Sequence, residues 1–159
     1  ETVMIPLVDA SKAIIVDCGR SCGTCSLCCK VALIPELQKP AGVWCVHARP
    51  GKGGCSIYDS PERPGVCRTF QCAWVEREDG LPGWMKPDRV HAYVTGLKGR
   101  NGIAVHVDPG YPDAWRTDPL ATFLRRTSME MEVAVAVCRK RWAILRGQLV
   151  RGPDAKEAA

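Results

Sequence analysis

The chain has 159 residues, the size of one ordinary domain, with 46% hydrophobic and 25% charged residues; such proportions exclude a chain that is mainly disordered. Its longest apolar runs, residues 13–16 and 133–138, fall far short of the ~20 residues that cross a bilayer, and residues 1–6 lack the charged-then-apolar layout of a secretory leader. The formal net charge is +5, and residues 116–151 carry eight basic side chains against three acidic ones, an excess suited to offsetting an anionic centre elsewhere in the fold.

Residues 1–17 hold a short apolar stretch without a period. From Cys18 to Trp74 the chain is punctuated by Pro35, Pro40, Pro50, Pro61 and Pro64, a density that forbids long helices; one short helix is expected over residues 61–74, with its prolines near the start. Val90, Ala92, Val94 and Gly96, and then Ile103, Val105 and Val107, alternate with other residues as strands do. Asn101-Gly102 between them suits the left-handed backbone of a tight hairpin. Asp108-Pro109-Gly110 stops the second strand. Asp118-Pro119 reads as a cap followed by a first-turn proline, opening a helix to about Arg126. Val133 to Val137 and Trp142 to Leu145 place β-branched residues at alternate positions, which predicts a second hairpin; a single helix from Pro119 to Leu149 is the competing reading. The tail from Gly152 is expected to fray. The expected fold is α+β, one domain over residues 1–151. Within it, an irregular cysteine-rich metal-binding lobe (18–75) packs on a small antiparallel sheet with short helices (86–151).

Cysteine is the unusual component. Of ten, eight lie between Cys22 and Cys72, leaving Cys18 and Cys138 apart. No leader argues for an oxidising compartment, so the clustering points to thiolates around metal rather than to disulfides. Cys22-x2-Cys25-x2-Cys28-Cys29 turns tightly enough to aim successive sulfurs at one centre; zinc takes four at ~2.3 Å, and an iron–sulfur cube takes three from such a run plus one more. Adjacent side chains diverge, so Cys28 and Cys29 either face two sites or leave one thiol free. Cys45, Cys55, Cys67 and Cys72 follow singly. Eight thiols suffice for two four-thiolate centres, or for one centre with thiols to spare.

The run Cys22-x2-Cys25-x2-Cys28-Cys29, with Cys45, Gly54-Cys55-x-Ile57-Tyr58, Arg63-Pro64 and Cys67-Arg68-x-Phe70-x-Cys72, resembles the bacterial CxxCxxCC family of zinc- or iron-chelating domains. The likeness covers residues 18–75 closely and the Asp108-Pro109 and Trp115 region loosely. It implies metal binding in the cytoplasm by the eight cysteines. Flagellin lysine N-methylase, a relative of that family, carries the same cysteine domain, which favours an iron–sulfur cluster over zinc. This chain shows no Gly-rich S-adenosylmethionine loop after a strand, so the methylase activity does not transfer.

Beside the cysteines, Arg63 and Arg68 flank Cys67 and are candidates to donate N–H bonds to thiolates or cluster sulfides. Trp44, Phe70 and Trp74 are placed to shield a centre from water. His47 is expected to hydrogen-bond rather than ligate, and His91 and His106 to be structural cross-strand neighbours. Cys138, at the end of an apolar strand, is expected to be a small buried hydrophobe. The functional expectation is a metal-binding protein, holding an iron–sulfur cluster or zinc. The alternative is a structural zinc module that presents a protein- or nucleic-acid-interaction surface. A protein partner stays open, nucleic acid ranks last because paired finger spacing is missing, and no membrane association is expected of what should be a monomer. No acid–base pair or Ser/His/Asp set emerges.

Overall fold

Alternating valines set the architecture. The computed structural model describes residues 20–70, 72–76 and 80–155, and in it five strands lie side by side in chain order. They are β1 (Ala92–Gly96), β2 (Gly102–Val107), β3 (Glu132–Val137), β4 (Lys140–Leu145) and β5 (Gln148–Gly152). Short helices surround them: α1 (Leu27–Val31), α2 (Gly65–Thr69), α3 (Ala73–Glu76), α4 (Pro87–Val90) and α5 (Leu120–Thr127). This is the expected α+β class, but the sheet is mixed rather than antiparallel. β2 pairs parallel to β3, Val105 opposite Val135, while the other three pairings are antiparallel. The reason is topological: the chain leaves β2, crosses over through Trp115 and α5, and re-enters beside β2 in the same direction, as a parallel pair requires. Among the described residues no helix is long and apolar enough to cross a membrane.

Period-2 alternation puts Val94, Val105, Val133 and Val135 on one face, where they meet Leu120 and Leu124 of α5, Trp115 and Met85. Val105, Val133, Val135 and Leu124 are fully buried, so this layer is where apolar burial stabilises the fold most. Asp118 accepts hydrogen bonds from Thr122 N–H and Oγ at 3.0 and 2.6 Å; it does so from one residue before the cap, because Pro119 and not Asp118 is the N-cap of α5 and the helix starts at Leu120. On the opposite face of β1, Tyr93 packs against Leu27 and Val31 of α1 and against Phe70, Cys28 and Cys72. Thus β1 is covered on both sides, and its second cover carries the cysteines.

Several local expectations change. The segment 61–74 is two short helices, α2 and α3, because Phe70 is extended (ψ 130°). Val90 ends α4, nucleated by Pro87, and His91 turns the chain with φ 56° before β1 begins. In the β1–β2 hairpin the left-handed residue is Gly99 (φ 69°), not the Asn101-Gly102 pair. Gly102 is needed for another reason: a Cβ there would stand 2.4 Å from the Glu132 carbonyl. The β3–β4 hairpin turns on Cys138 and Arg139, with Cys138 at φ 50°. Its side chain is therefore exposed at a turn tip rather than buried at a strand end. A second tight turn at Arg146 and Gly147, both at positive φ, adds β5. The tail continues the hairpin, with Ala155 N–H bonded to the Arg139 carbonyl at 2.7 Å. Residues 1–17, Cys18 and residues 156–159 lie outside the described residues.

Candidate metal centre

Four thiols converge on one cleft. Cys22, Cys25, Cys28 and Cys72 border it, together with Trp74, Lys86, Pro87 and Tyr93. The local sequence explains the convergence. Gly23 takes φ 55°, so the chain folds back and Cys25 N–H reaches the Cys22 carbonyl at 2.8 Å. Leu27, buried against Tyr93, then starts α1 and sets Cys28 on the cleft side. Cys72 comes from the link between α2 and α3, on the other wall. Nearby backbone N–H groups, those of Leu27 and Asp88 for Cys25 and those of Trp74, Val75 and Val94 for Cys72, act to lower these thiols. Such donors favour the anionic sulfur of a metal ligand. Burial acts in the opposite sense and pushes the thiols of Cys22, Cys25 and Cys72 up from their ordinary range. For Cys22 the Lys86 ammonium partly opposes that rise.

The other four of the eight cysteines, Cys29, Cys45, Cys55 and Cys67, do not border the cleft, although Cys29 lies within electrostatic reach of Cys22 as well as of Cys67. Cys67 lies within electrostatic reach of Cys29, Cys45 and Cys55, whose charges add to burial in raising its thiol. Cys45 N–H bonds to the Cys29 carbonyl at 2.9 Å, and the Ala48–Cys55 bridge folds the following loop back on itself. Glu36 accepts the Gly65 N–H at 3.0 Å, holding the start of α2 and so the position of Cys67. Two cations face this group. Lys39 is buried, with its Nζ donating to the carbonyls of Lys30, Ala32 and Pro40 at 2.9, 2.5 and 2.9 Å. Arg63 donates to the Cys67 carbonyl at 2.6 Å and stacks on Tyr58. In the adjacent pair, the Cys28 thiol donates to Cys29; that bond, with Lys39 and Arg63, lowers Cys29 to about 7, while Cys28 is held protonated.

Among the described residues no three Cys, His, Asp or Glu side chains stand together at ion-holding distance. The donor set nonetheless fits a thiophilic metal: among the described residues the cleft wall carries four thiols and no carboxylate, and its protonated sulfurs would lose their protons to a dication. The two sequence-selected arginines bond to backbone rather than to sulfur. Arg68 donates to the carbonyls of Arg63 and Ser60 at 3.0 and 2.7 Å, so it braces the loop that carries Arg63. Phe70 meets Tyr93 edge-on and Trp74 walls the cleft under Arg20, whereas Trp44 is exposed. The His47 carbonyl accepts from Ser56. His91 and His106 are not cross-strand neighbours: His91 stacks on Tyr111, and the partner of His106 is Tyr93. The sequence reading passed over Lys39, Lys86, Tyr93 and Arg20. Only Tyr93 left a signal there, a polar-tipped aromatic facing away from Ala92 and Val94.

Comparison with known proteins is sparse. No family model matches the chain, and no solved structure matches it. A protein of Vibrio cholerae serotype O1 (strain ATCC 39315 / El Tor Inaba N16961), named UPF0153 protein, is 37% identical over 59 residues; the match spans 35% of this chain and 71% of that relative.

Proposed function

This chain belongs to the UPF0153 family, and from that membership and the site we propose a metal-binding protein of the reducing cytoplasm. Its cysteine thiolates hold iron–sulfur or zinc, and the contiguous run Cys22-x2-Cys25-x2-Cys28 favours iron–sulfur. The observation that carries the reading is the cleft bordered by four thiols, three of them brought there by one tight turn and the start of α1 and the fourth, Cys72, from a separate segment. Four thiols brought to one space from separated positions are the donor set that a thiophilic ion takes up. When bound, an iron–sulfur group would supply one-electron chemistry, and zinc would supply structure. The residues around it do the rest: Trp74 and Tyr93 exclude water, and Lys86 offsets negative charge at Cys22. Nucleic-acid binding gains no support, because Arg139 and Arg141 direct donors to the carbonyls of Ala155 and Cys138.

Anaerobic purification, a visible spectrum and metal analysis test the proposal. A brown sample with matched iron and sulfide assigns the cluster, and a colourless one with stoichiometric zinc assigns zinc. Metal-free material that keeps its thermal transition after exhaustive chelation would refute both. Ser at Cys25 or Cys67 should lower the melting temperature of the metal-loaded protein far more than Ser at Cys138, which is exposed at a turn.

A further inference from the structure

A second groove lies between the crossover that follows β2 and the tip of the β3–β4 hairpin, and it shares no lining residue with the thiol cleft. Alternation builds it. Lys140, Trp142 and the buried Ile144 occupy one face of β4, and strand pairing sets Val137 opposite Lys140 and Arg151 opposite Trp142. The apolar layer of that face therefore ends at Val137, Trp115 and Trp142, where the groove begins. From the crossover, Arg116 lays its guanidinium over both indoles, 4.4 Å from the Trp115 ring centre and 5.7 Å from that of Trp142. We infer that this groove binds a small organic phosphate, its dianionic head between Arg116 and Lys140 and its apolar body along Pro109, Pro112 and Val137.

The choice of ligand follows from which donors the fold has already used. Arg151, over the Trp142 ring at 4.8 Å, donates to the carbonyls of Arg141 and Gly152 and to Asp154. Arg139 donates to the Ala155 carbonyl. Arg116 differs: among the described residues its guanidinium makes no hydrogen bond, and the Asp113 carboxylate stands 4.0 Å from its Nε, beyond bonding range. Two indoles thus hold a planar fork in place with its N–H donors unspent, the group that grips phosphate or carboxylate oxygens in pairs. Lys140 lines the same groove, and its ammonium has no acceptor among the described residues. The two carboxylates of the wall leave this charge in place, since Asp154 is held by Arg151 and the Asp113 side chain is 85% exposed to water. Two unspent cations at one opening suit a dianion, and a phosphate monoester carries about −1.5 to −2 at pH 7. The volume of about 660 Å³ is that of a small-molecule site and exceeds what inorganic phosphate fills. Trp115 is 3% exposed, and its Nε1–H lacks the acceptor that a buried indole ordinarily has, a donor still unpaired in the groove wall.

Phenyl phosphate is the probe, titrated into the reduced full chain isotope-labelled at tryptophan nitrogen, with inorganic phosphate, benzoate and phenol in parallel. The indole N–H resonances of Trp115 and Trp142 should shift saturably with phenyl phosphate, while those of Trp44, Trp74 and Trp84, which lie outside the groove, stay in place. Inorganic phosphate lacks the body and benzoate the second charge, so each should bind about tenfold more weakly, and phenol should not bind. Arg116→Gln and Lys140→Gln should each weaken phenyl phosphate by about tenfold while keeping the thermal transition of the parent. Lys140 is exposed at a hairpin end, so its variant tests the site even where Arg116→Gln disturbs the indoles. Absence of a shift at Trp115 and Trp142, unchanged affinity in Lys140→Gln, or benzoate or inorganic phosphate binding as tightly as phenyl phosphate would overturn the assignment.

Discussion

Replacing His106 by Phe should remove an acid sensitivity built into the sheet. His106 stacks on Tyr93 with ring centroids 4.6 Å apart, and its Nε2 meets the Thr95 hydroxyl at 2.9 Å. Burial, with a smaller contribution from the nearby Arg141 guanidinium, lowers it from 6.5 to about 4. The folded state therefore binds this proton less readily than the unfolded chain does. The stability it contributes is full above pH 6.5 and lost as pH falls toward 4. A shift of that size is worth at most about 3 kcal/mol, and the share lost between pH 7 and pH 5 is about 2 kcal/mol. Phe keeps the ring on Tyr93 and cannot ionise. Urea unfolding of both proteins at pH 7 and pH 5 measures the effect: the parent should lose about 2 kcal/mol more than His106→Phe over that interval. Metal release at the lower pH is common to the two and cancels in the difference. Equal losses, or an imidazole that titrates near 6.5 by NMR in the folded protein, would refute the reasoning.

Three further outcomes are expected. Gly53→Ala places a Cβ against the Gly23 carbonyl at a backbone φ of 84°, so it should push the Cys22–Cys25 turn outward and speed zinc release, measured by chelator competition. In metal-free, reduced protein at pH 7, Cys29 should be alkylated ahead of Cys28 by tandem mass spectrometry, because the Cys29 thiol is lowered to about 7 by the hydrogen bond from Cys28, whose own thiol is raised. Asp108→Asn leaves Lys30 facing a neutral group in place of an ion pair of 2.8 Å in which Asp108 is almost wholly covered; it should cost about 3 kcal/mol in urea unfolding, and an unchanged midpoint would show the pair to be dispensable.

The strands were legible because their valines alternate: Val94, Val105, Val133 and Val135 declare which face is buried, and a helix over residues 119–149 would have scattered them. What alternation cannot declare is the order of pairing, since β2 and β3 carry the same pattern whether they run together or opposed. The turns were half legible. Asn101-Gly102 marked the right place, yet Gly99 takes the left-handed backbone, and nothing in Cys138 announces a positive φ. At the site, the cysteine cluster could be read from spacing alone and the four that border the cleft could not, because Cys72 reaches Cys22 through the fold rather than through nearness in sequence. Lys39 was invisible for a similar reason. A lysine beside a proline usually lies in water, and this one is drawn inward by the carbonyls of Lys30 and Ala32 at the end of α1 and by that of Pro40.

That lysine has a consequence for solution behaviour. Mobile counterions screen charges that face water, over about 10 Å at 0.1 M salt, and act much less on charges sealed from it. Because Lys39 is covered and fastened at three points, its influence on Cys29 should persist in concentrated salt, where a surface lysine in its place would fade.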